Sequence, residues 1–189
     1  DNGVDIKAPN YRSLLSGSKA DCISTTMEIE NNGVQLLKDA GTALPNAKLY
    51  GGDAMALNET ANPKTGLPAK IGARFKATIA TLDPANFPPD GKKFFSDFKS
   101  EYGIDRPNPY AIYGYEAMDL ILDSIEAVGA KGGDRQAVID QVLNNTKGRK
   151  SVLGTYDIDE NGDTTLTDYG LYKVQAGKLV FDKVIKAAS

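Results

Sequence analysis

Hydrophobic and polar positions alternate between two periods along this chain. "APNYRSLLSG" places Tyr11, Leu14 and Leu15 on one helical face with Asn10 as a capping candidate, and "ADCISTT" follows as a buried strand. "IENNGVQLLKDAG" reads as a helix capped by Asn31 or Asn32, with Val34, Leu37 and Ala40 inward and Gly41 at its C′ position. "NAKLYGGDA" is a short strand that runs into a Gly-Gly turn. Helix, strand, helix, strand with short connections is the rhythm of a parallel α/β sheet.

A polar loop, "DAMALNETANPKTGLPAK", shows little periodicity. In "RFKATIAT", Phe75, Ala77 and Ile79 then share one face of a strand. After the proline-rich "LDPANFPPDG", "KKFFSDFKSEYG" predicts an amphipathic helix with Phe94, Phe95 and Phe98 inward and Gly103 as its stop. The longest helix, "NPYAIYGYEAMDLILDSIEAVG", takes Asn108 as cap and Pro109 at its first position. Its stripe is Tyr113, Ala117, Leu120, Ile121, Ser124 and Val128, and Gly129 ends it. Asp134 caps the next helix, which turns Val138, Ile139, Val142 and Leu143 inward. The tail reads as strand, turn, strand, turn, strand, with Gly177 supplying positive φ in a tight hairpin.

Composition removes whole classes of chemistry. The 189 residues carry no histidine, so the commonest general base, the Ser-His triads and the usual zinc sites are absent. Cys22 is alone and forms no intrachain disulfide; its strand context reads as a buried core position. A net charge of −3 argues against nucleic acid as a partner. The one basic cluster, Lys147 to Lys150, follows a predicted helix and reads as a complement to that helix's dipole. No apolar run is long enough to cross a membrane, and Asp1 opens the chain without an initiator Met or signal peptide, as in a processed product or a fragment.

The stretch "YDIDENGDTTLTD" matches the start of a calcium loop at Asp157, Asp159, Asn161 and Gly162. Both flanks read as strand, however. Thr164 stands where such loops are apolar, and Asp168 stands where they need a bidentate Glu. A turn is the better reading. Other candidate chemistry is carboxylate chemistry. Asp53 follows a strand and a Gly-Gly turn, so it belongs at the carboxyl end of a parallel sheet, where open α/β folds bind ligands. It fits either a turn cap or a partner for a ligand ammonium. Glu28 and Glu30 lie at the same predicted edge, as an acid/base pair or as solvated loop charges. Tyr110, Tyr113 and Tyr115 cluster at a helix start. Asn58-Glu59-Thr60 and Asn144-Asn145-Thr146 match the short glycosylation sequon. The sequence shows no phosphate-binding glycine loop and no metal cluster.

Four passages, "NNGVQLLKDAGTALPNAKLYGGDAM", "LDPANFPPDGKKFFSDFKSEYG", "PNPYAIYGYEAMDLILDSIEAVG" and "GTYDIDENGDTTLTDYGLYKVQAGKLV", run through most of the chain in one order. In that order the chain resembles the second half of a branched-chain amino-acid-type periplasmic binding protein, the receptor of an ABC importer. The resemblance implies an α/β fold of periplasmic binding protein type I, an open parallel sheet flanked by helices, with two lobes closing on a small ligand. It assigns residues 1–105 with 168–189 to the second lobe and 106–167 to a part of the first. It implies capture without a reaction, no cofactor, an ABC permease as partner, and a periplasmic or extracellular location at the membrane through that permease, reached with a signal peptide.

Residue by residue, the resemblance places the group that holds a ligand's amino end on Asp53. The aromatic that packs on the ligand side chain falls on Tyr110, and a further loop position falls near Ile29 and Glu30. No aromatic stands at that loop position, which leaves a more polar ligand than Leu, Ile or Val open. Two rival readings are a sensor of amides or small acids on the same fold and a carboxylate-dependent enzyme on a flavodoxin-like sheet. A partial fold also implies weak ligand binding and bare faces that favour self-association.

Overall fold

The computed structural model describes residues 7–187 apart from Pro9. The helices are α1 (Arg12–Ser16), α2 (Gly33–Ala43), α3 (Asn58–Ala61), α4 (Ala69–Gly72), α5 (Pro89–Tyr102), α6 (Ala111–Val128) and α7 (Arg135–Asn145). The strands are β1 (Cys22–Thr25), β2 (Lys48–Gly51), β3 (Phe75–Ile79), β4 (Arg149–Ser151), β5 (Gly154–Tyr156), β6 (Asp168–Gln175) and β7 (Lys178–Lys186). The described chain forms two compact units. The first extends to Ala80 and resumes over Tyr169–Lys186, and the second covers Thr81–Asp168. Helix α5 stacks Phe94 on Tyr115 of α6 at 5.2 Å and Phe95 on Phe87 at 5.6 Å, and lies in the second unit.

The first unit is built on a five-stranded sheet of order β1-β2-β3-β6-β7. Strands β1, β2 and β3 are parallel, with Thr25 opposite Gly51 and Gly51 opposite Ala77. The sheet expected as parallel is parallel over β1–β3 and mixed beyond them, because β6 returns antiparallel to β3, with Ile79 opposite Gly170. The physical reason is the connection. Helix-bearing crossovers link β1, β2 and β3 as parallel neighbours, whereas β6 returns beside β3 only after residues 80–167, and a two-residue turn then joins it to β7. In that turn Ala176 (φ 51°) and Gly177 (φ 75°) both take positive φ, the requirement of a tight hairpin turn.

Period-2 alternation holds in β3, where Phe75, Ala77 and Ile79 are buried with Leu49 of β2. Helix α2 covers that face through Leu36, Leu37 and Ala40. Helix α1 is pinned onto α2 by the buried Asp39, which accepts from the Tyr11 amide (2.8 Å), Arg12 Nε (2.9 Å) and Gln35 Nε2 (3.0 Å). Burial alone would raise the Asp39 pKa. These donors more than offset it and hold the carboxyl below its ordinary range.

Several local expectations change in this unit. Gly41 does not end α2; it lies inside the helix, at a position where a Cβ would meet Ile71 Cγ2 at 2.6 Å. Asn32 precedes α2 in a left-handed conformation (φ 69°), and its amide donates to Ala8 O and Tyr11 Oη instead of capping. Leu14 is exposed while Tyr11 and Leu15 are buried. Cys22 is exposed, not core, because it begins an edge strand. The polar loop 53–70 carries two short helices and buries Met55, Ala61 and Leu67.

The second unit packs α5, α6, α7 and the β4–β5 hairpin. Gly103 (φ 67°) stops α5, Gly129 (φ 55°) stops α6, and Asp134 caps α7 by accepting from the Gln136 and Ala137 amides. Helix α6 starts two residues later than the sequence suggests, since Asn108 Oδ1 accepts from the Tyr110 amide in a turn that leads into it. Its buried face is Ile112, Glu116 and Ser124, and Ile121 points out. On α7, Ile139 is exposed as well.

Candidate functional site

The carboxyl ends of β1 and β2 form one edge of the first unit, and the parallel register fixes what leaves there. Thr25 and Gly51 are paired, and the Gly52 amide donates to Thr25 O at 3.2 Å. The segments after both strands therefore depart from adjacent rungs. Gly51 is required for close packing, because a Cβ there would sit 2.7 Å from Met55 Cβ and 2.9 Å from Phe75 Cζ. Gly52 is open on that side. The chain then turns through Asp53–Met55 as one 3-10 turn, which buries Met55 and leaves Asp53 exposed at the rim. Asp53 Oδ1 accepts from the Ala54 amide at 2.9 Å, and its carbonyl accepts from Ala56. Asp53 thus closes the turn while presenting a carboxylate at the sheet edge.

The neighbouring segment after β1 is held by Thr25 Oγ1, which accepts from the Met27 amide at 3.1 Å. It then makes a tight turn in which Glu28 O accepts from the Asn31 and Gly33 amides. Ile29 is half-buried against the core cluster, whereas Glu28 and Glu30 are exposed. Asn31 Nδ2 donates to Glu28 Oε2 at 3.4 Å. The edge therefore brings Asp53 and the turn holding Ile29 and Glu30 to adjoining strand ends.

Tyr110 belongs to the second unit. It stands at the start of α6, partly exposed, with its ring 6.0 Å from Tyr113. A groove of about 650 Å³ in that unit, between α5 and α6, is lined by Phe94, Phe98, Tyr102 and Tyr115; neither Asp53 nor Tyr110 lines it.

The Asp-Asn-Gly passage is a turn by its geometry. Asp159 Oδ1 accepts from the Asn161 and Asp163 amides, and Ile158 bridges to Thr164 as in a hairpin. Those amides hold the Asp159 carboxyl below its ordinary range. Asp157 Oδ1 accepts from the Gly148 amide at 2.6 Å. Both carboxylates are engaged by backbone donors, an arrangement that rigidifies a loop. Among the described residues no group of three or more His, Cys, Asp or Glu is placed to hold a metal ion.

Sequence reasoning missed one network. Arg149 does not serve the end of α7. Its guanidinium donates to Glu116 Oε1 (2.6 Å), Asp119 Oδ2 (2.8 Å) and Asp123 Oδ2 (2.6 Å) along one side of α6. Tyr156 Oη adds a bond to Glu116 Oε1 at 2.8 Å. Burial would lower the Arg149 pKa, but the bonds to Glu116 and Asp123 outweigh it and hold the proton more tightly. Burial first, then the bond to Glu116, pushes the Tyr156 hydroxyl well above its ordinary range. The legible signal was the spacing of Glu116, Asp119 and Asp123, which share one helix face.

The model of the family described as "Periplasmic binding protein" matches residues 11–178. The Leu/Ile/Val-binding protein homolog 1 of Brucella suis is 29% identical over 133 residues, 69% of this chain and 32% of that protein. Among solved structures, the leucine binding protein LivK of Thermotoga maritima superposes with a TM-score of 0.74 at 23% identity, over 95% of this chain and 49% of that one. A Rhodopseudomonas palustris solute binding protein in complex with p-hydroxybenzoic acid gives a TM-score of 0.67 at 22% identity, over 97% and 51%. The chain thus spans about a third of the curated relatives' length and about half of the solved chains. The sequence pattern, the sheet and its helices, and a match over most of the length agree: the chain belongs to the periplasmic binding protein family.

Proposed function

We propose that this chain is part of an extracytoplasmic solute-binding receptor of an ABC importer, and that the receptor captures an amino acid by closing on it without chemistry. Asp53 takes the ligand's ammonium in a charge-assisted hydrogen bond. Tyr110 packs on the ligand side chain, and the Ile29–Glu30 turn borders the ammonium site. In this reading residues 1–105 with 168–189 belong to the second lobe and residues 106–167 to the first. The permease is the partner that reads the closed state. The observation that carries this reading is the placement of Asp53. It is an exposed carboxylate at the carboxyl end of parallel strands, where open α/β sheets receive ligands. The names of the Brucella and Thermotoga relatives support the ligand class. Among the described residues no helix is long and apolar enough to cross a membrane.

A second reading has its own support, the Rhodopseudomonas palustris protein in complex with p-hydroxybenzoic acid. An aromatic acid brings no ammonium, and a carboxylate at Asp53 would repel it. One experiment separates the two. Calorimetry on a receptor-length protein containing this chain compares leucine with p-hydroxybenzoate, before and after Asp53→Asn. The amino-acid reading expects leucine affinity to fall by about 1.5–3 kcal/mol, the worth of a hydrogen bond to a charged group. Unchanged leucine affinity removes Asp53 from the site, and tighter p-hydroxybenzoate binding after the substitution selects the second reading.

A further inference from the structure

Charged residues of an amphipathic helix ordinarily lie opposite its apolar face. Helix α5 departs from that rule. Asp90, Phe94, Asp97, Phe98, Glu101 and Tyr102 follow the three-and-four spacing of one helical stripe, so its carboxylates are interleaved with its rings. The same six residues line the groove of about 650 Å³ between α5 and α6, and Tyr115 of α6 adds a further ring.

The rings form one run. Tyr115 lies 5.2 Å from Phe94, Phe94 lies 5.8 Å from Phe98, and Phe98 lies 4.7 Å from Tyr102, centroid to centroid, inclined at 50°, 48° and 50°. Rings inclined in this way are not stacked, so part of each face is left uncovered by the next. Tyr115 and Tyr102, at the two ends of the run, are 51% and 64% exposed. A ring face carries the negative lobe of the aromatic quadrupole and attracts a cation.

The charges of the groove have the same sign as the ring faces. Three carboxylates, Asp90, Asp97 and Glu101, against the one ammonium of Lys93 leave a net charge of −2. Lys93 already pairs with Asp97, and Lys99, on the same helix, is held by Asp105 at 2.6 Å. Asp90 stands one turn before Phe94 and Glu101 one turn after Phe98, so a cation over these rings lies within a Debye length of both.

The volume suits a small organic molecule. An anion would be repelled by the carboxylates. A metal ion lacks a coordination set, since among the described residues no three acidic groups converge to hold one. An organic cation with an apolar shell answers both the rings and the rim. A quaternary ammonium does so best, because it has no N–H group to leave unsatisfied among rings.

We propose that the α5–α6 groove is a binding site for a quaternary ammonium compound, with its alkyl shell against Phe94, Phe98 and Tyr115. The site lies within the second unit and does not depend on Asp53 or on the receptor reading.

The test compares choline with its uncharged carbon isostere, dimethylbutanol, by calorimetry on the 189-residue chain. Choline should saturate one site and bind at least about tenfold tighter than the isostere. Glu101→Gln, at an exposed position, should weaken choline at least about threefold and leave the isostere unchanged. Tyr115→Leu should weaken choline by a similar factor, and Tyr115→Phe, which keeps the ring, should bind it as the native chain does. Equal affinities for the two compounds overturn the proposal, because the groove then recognises apolar shape alone. Absence of saturable choline binding overturns it too, as does native affinity in both Glu101→Gln and Tyr115→Leu. Choline binding that is lost in Asp53→Asn and kept in Glu101→Gln places the cation at the rim of the first unit and also overturns the groove.

Discussion

Replacing Arg149 with Met tests the second unit where its structure is most exposed to a single change. Glu116 is 3% exposed, its Oε2 has no hydrogen-bond partner, and its Oε1 is served by Arg149 Nε and the Tyr156 hydroxyl. Removing the guanidinium leaves a buried carboxylate with one neutral donor, and breaking a buried pair from one side costs about 3–5 kcal/mol. The bonds to Asp119 and Asp123 add little, since those side chains are about half exposed and pairs of that kind contribute about 0–1 kcal/mol. We therefore expect a loss of about 3 kcal/mol in Arg149→Met, close to the low end because Arg149 itself keeps some contact with water.

The chain has two compact units, so a single global transition is not assumed. Amide hydrogen exchange over α6 and the β4–β5 hairpin reads the second unit by itself, with α2 peptides as the internal control. A 3 kcal/mol loss corresponds to exchange roughly 150-fold faster in α6 and unchanged in α2. Adding Glu116→Gln removes the stranded charge and keeps an acceptor for Tyr156, so it should recover about half of the loss. A change below about 1 kcal/mol in Arg149→Met, or no recovery in the double variant, would refute the reasoning.

Two further outcomes follow from the packing. Lys173 and Lys76 both donate to Asp182 (2.7 and 2.9 Å) and lower its carboxyl from 3.8 to about 2. A depressed pKa contributes stability that is complete above the unfolded value and is lost as pH falls through the folded one. The melting temperature of the first unit should thus fall between about pH 4 and pH 2, and Asp182→Asn should flatten that step in an acid titration followed by circular dichroism; an identical acid profile would count against the network. Gly91→Ala should destabilise the second unit by about 1–3 kcal/mol in the same exchange assay, because the new Cβ would sit 2.4 Å from Val152 O and 2.7 Å from Phe87 Cβ. Wild-type exchange in that variant would show that the start of α5 yields freely.

What could be read from the sequence was what depends on near neighbours. The alternation of Phe75, Ala77 and Ile79, the cap at Asp134 and the positive φ at Gly103, Gly129 and Gly177 are local demands, and each is met. The failures share a cause, a partner distant in sequence. Gly41 looked like a stop, yet it is kept small by Ile71 packing across from it. Cys22 looked buried, but burial depends on which strand lies alongside, and β1 is an edge. Arg149 looked like a helix-dipole partner until the three carboxylates of α6 reached it. Ile139 and Ile121 looked inward because periodicity marks an apolar face without saying what covers it. Of the candidate site, the rim position of Asp53 was legible in "LYGGDA", since two glycines let a strand end in a sharp turn that leaves the next residue at its carboxyl end.

The exposed thiol of Cys22 has a practical consequence. It is the single sulfhydryl of the sequence, and it begins the outermost strand of the first unit. From Cys22 to Thr25 the strand rises about 10 Å, so a fluorophore attached there stands a strand's length from the rim that bears Asp53. The chain thus carries its own reporter position, at which a dye can report on the site proposed at Asp53 without occluding it.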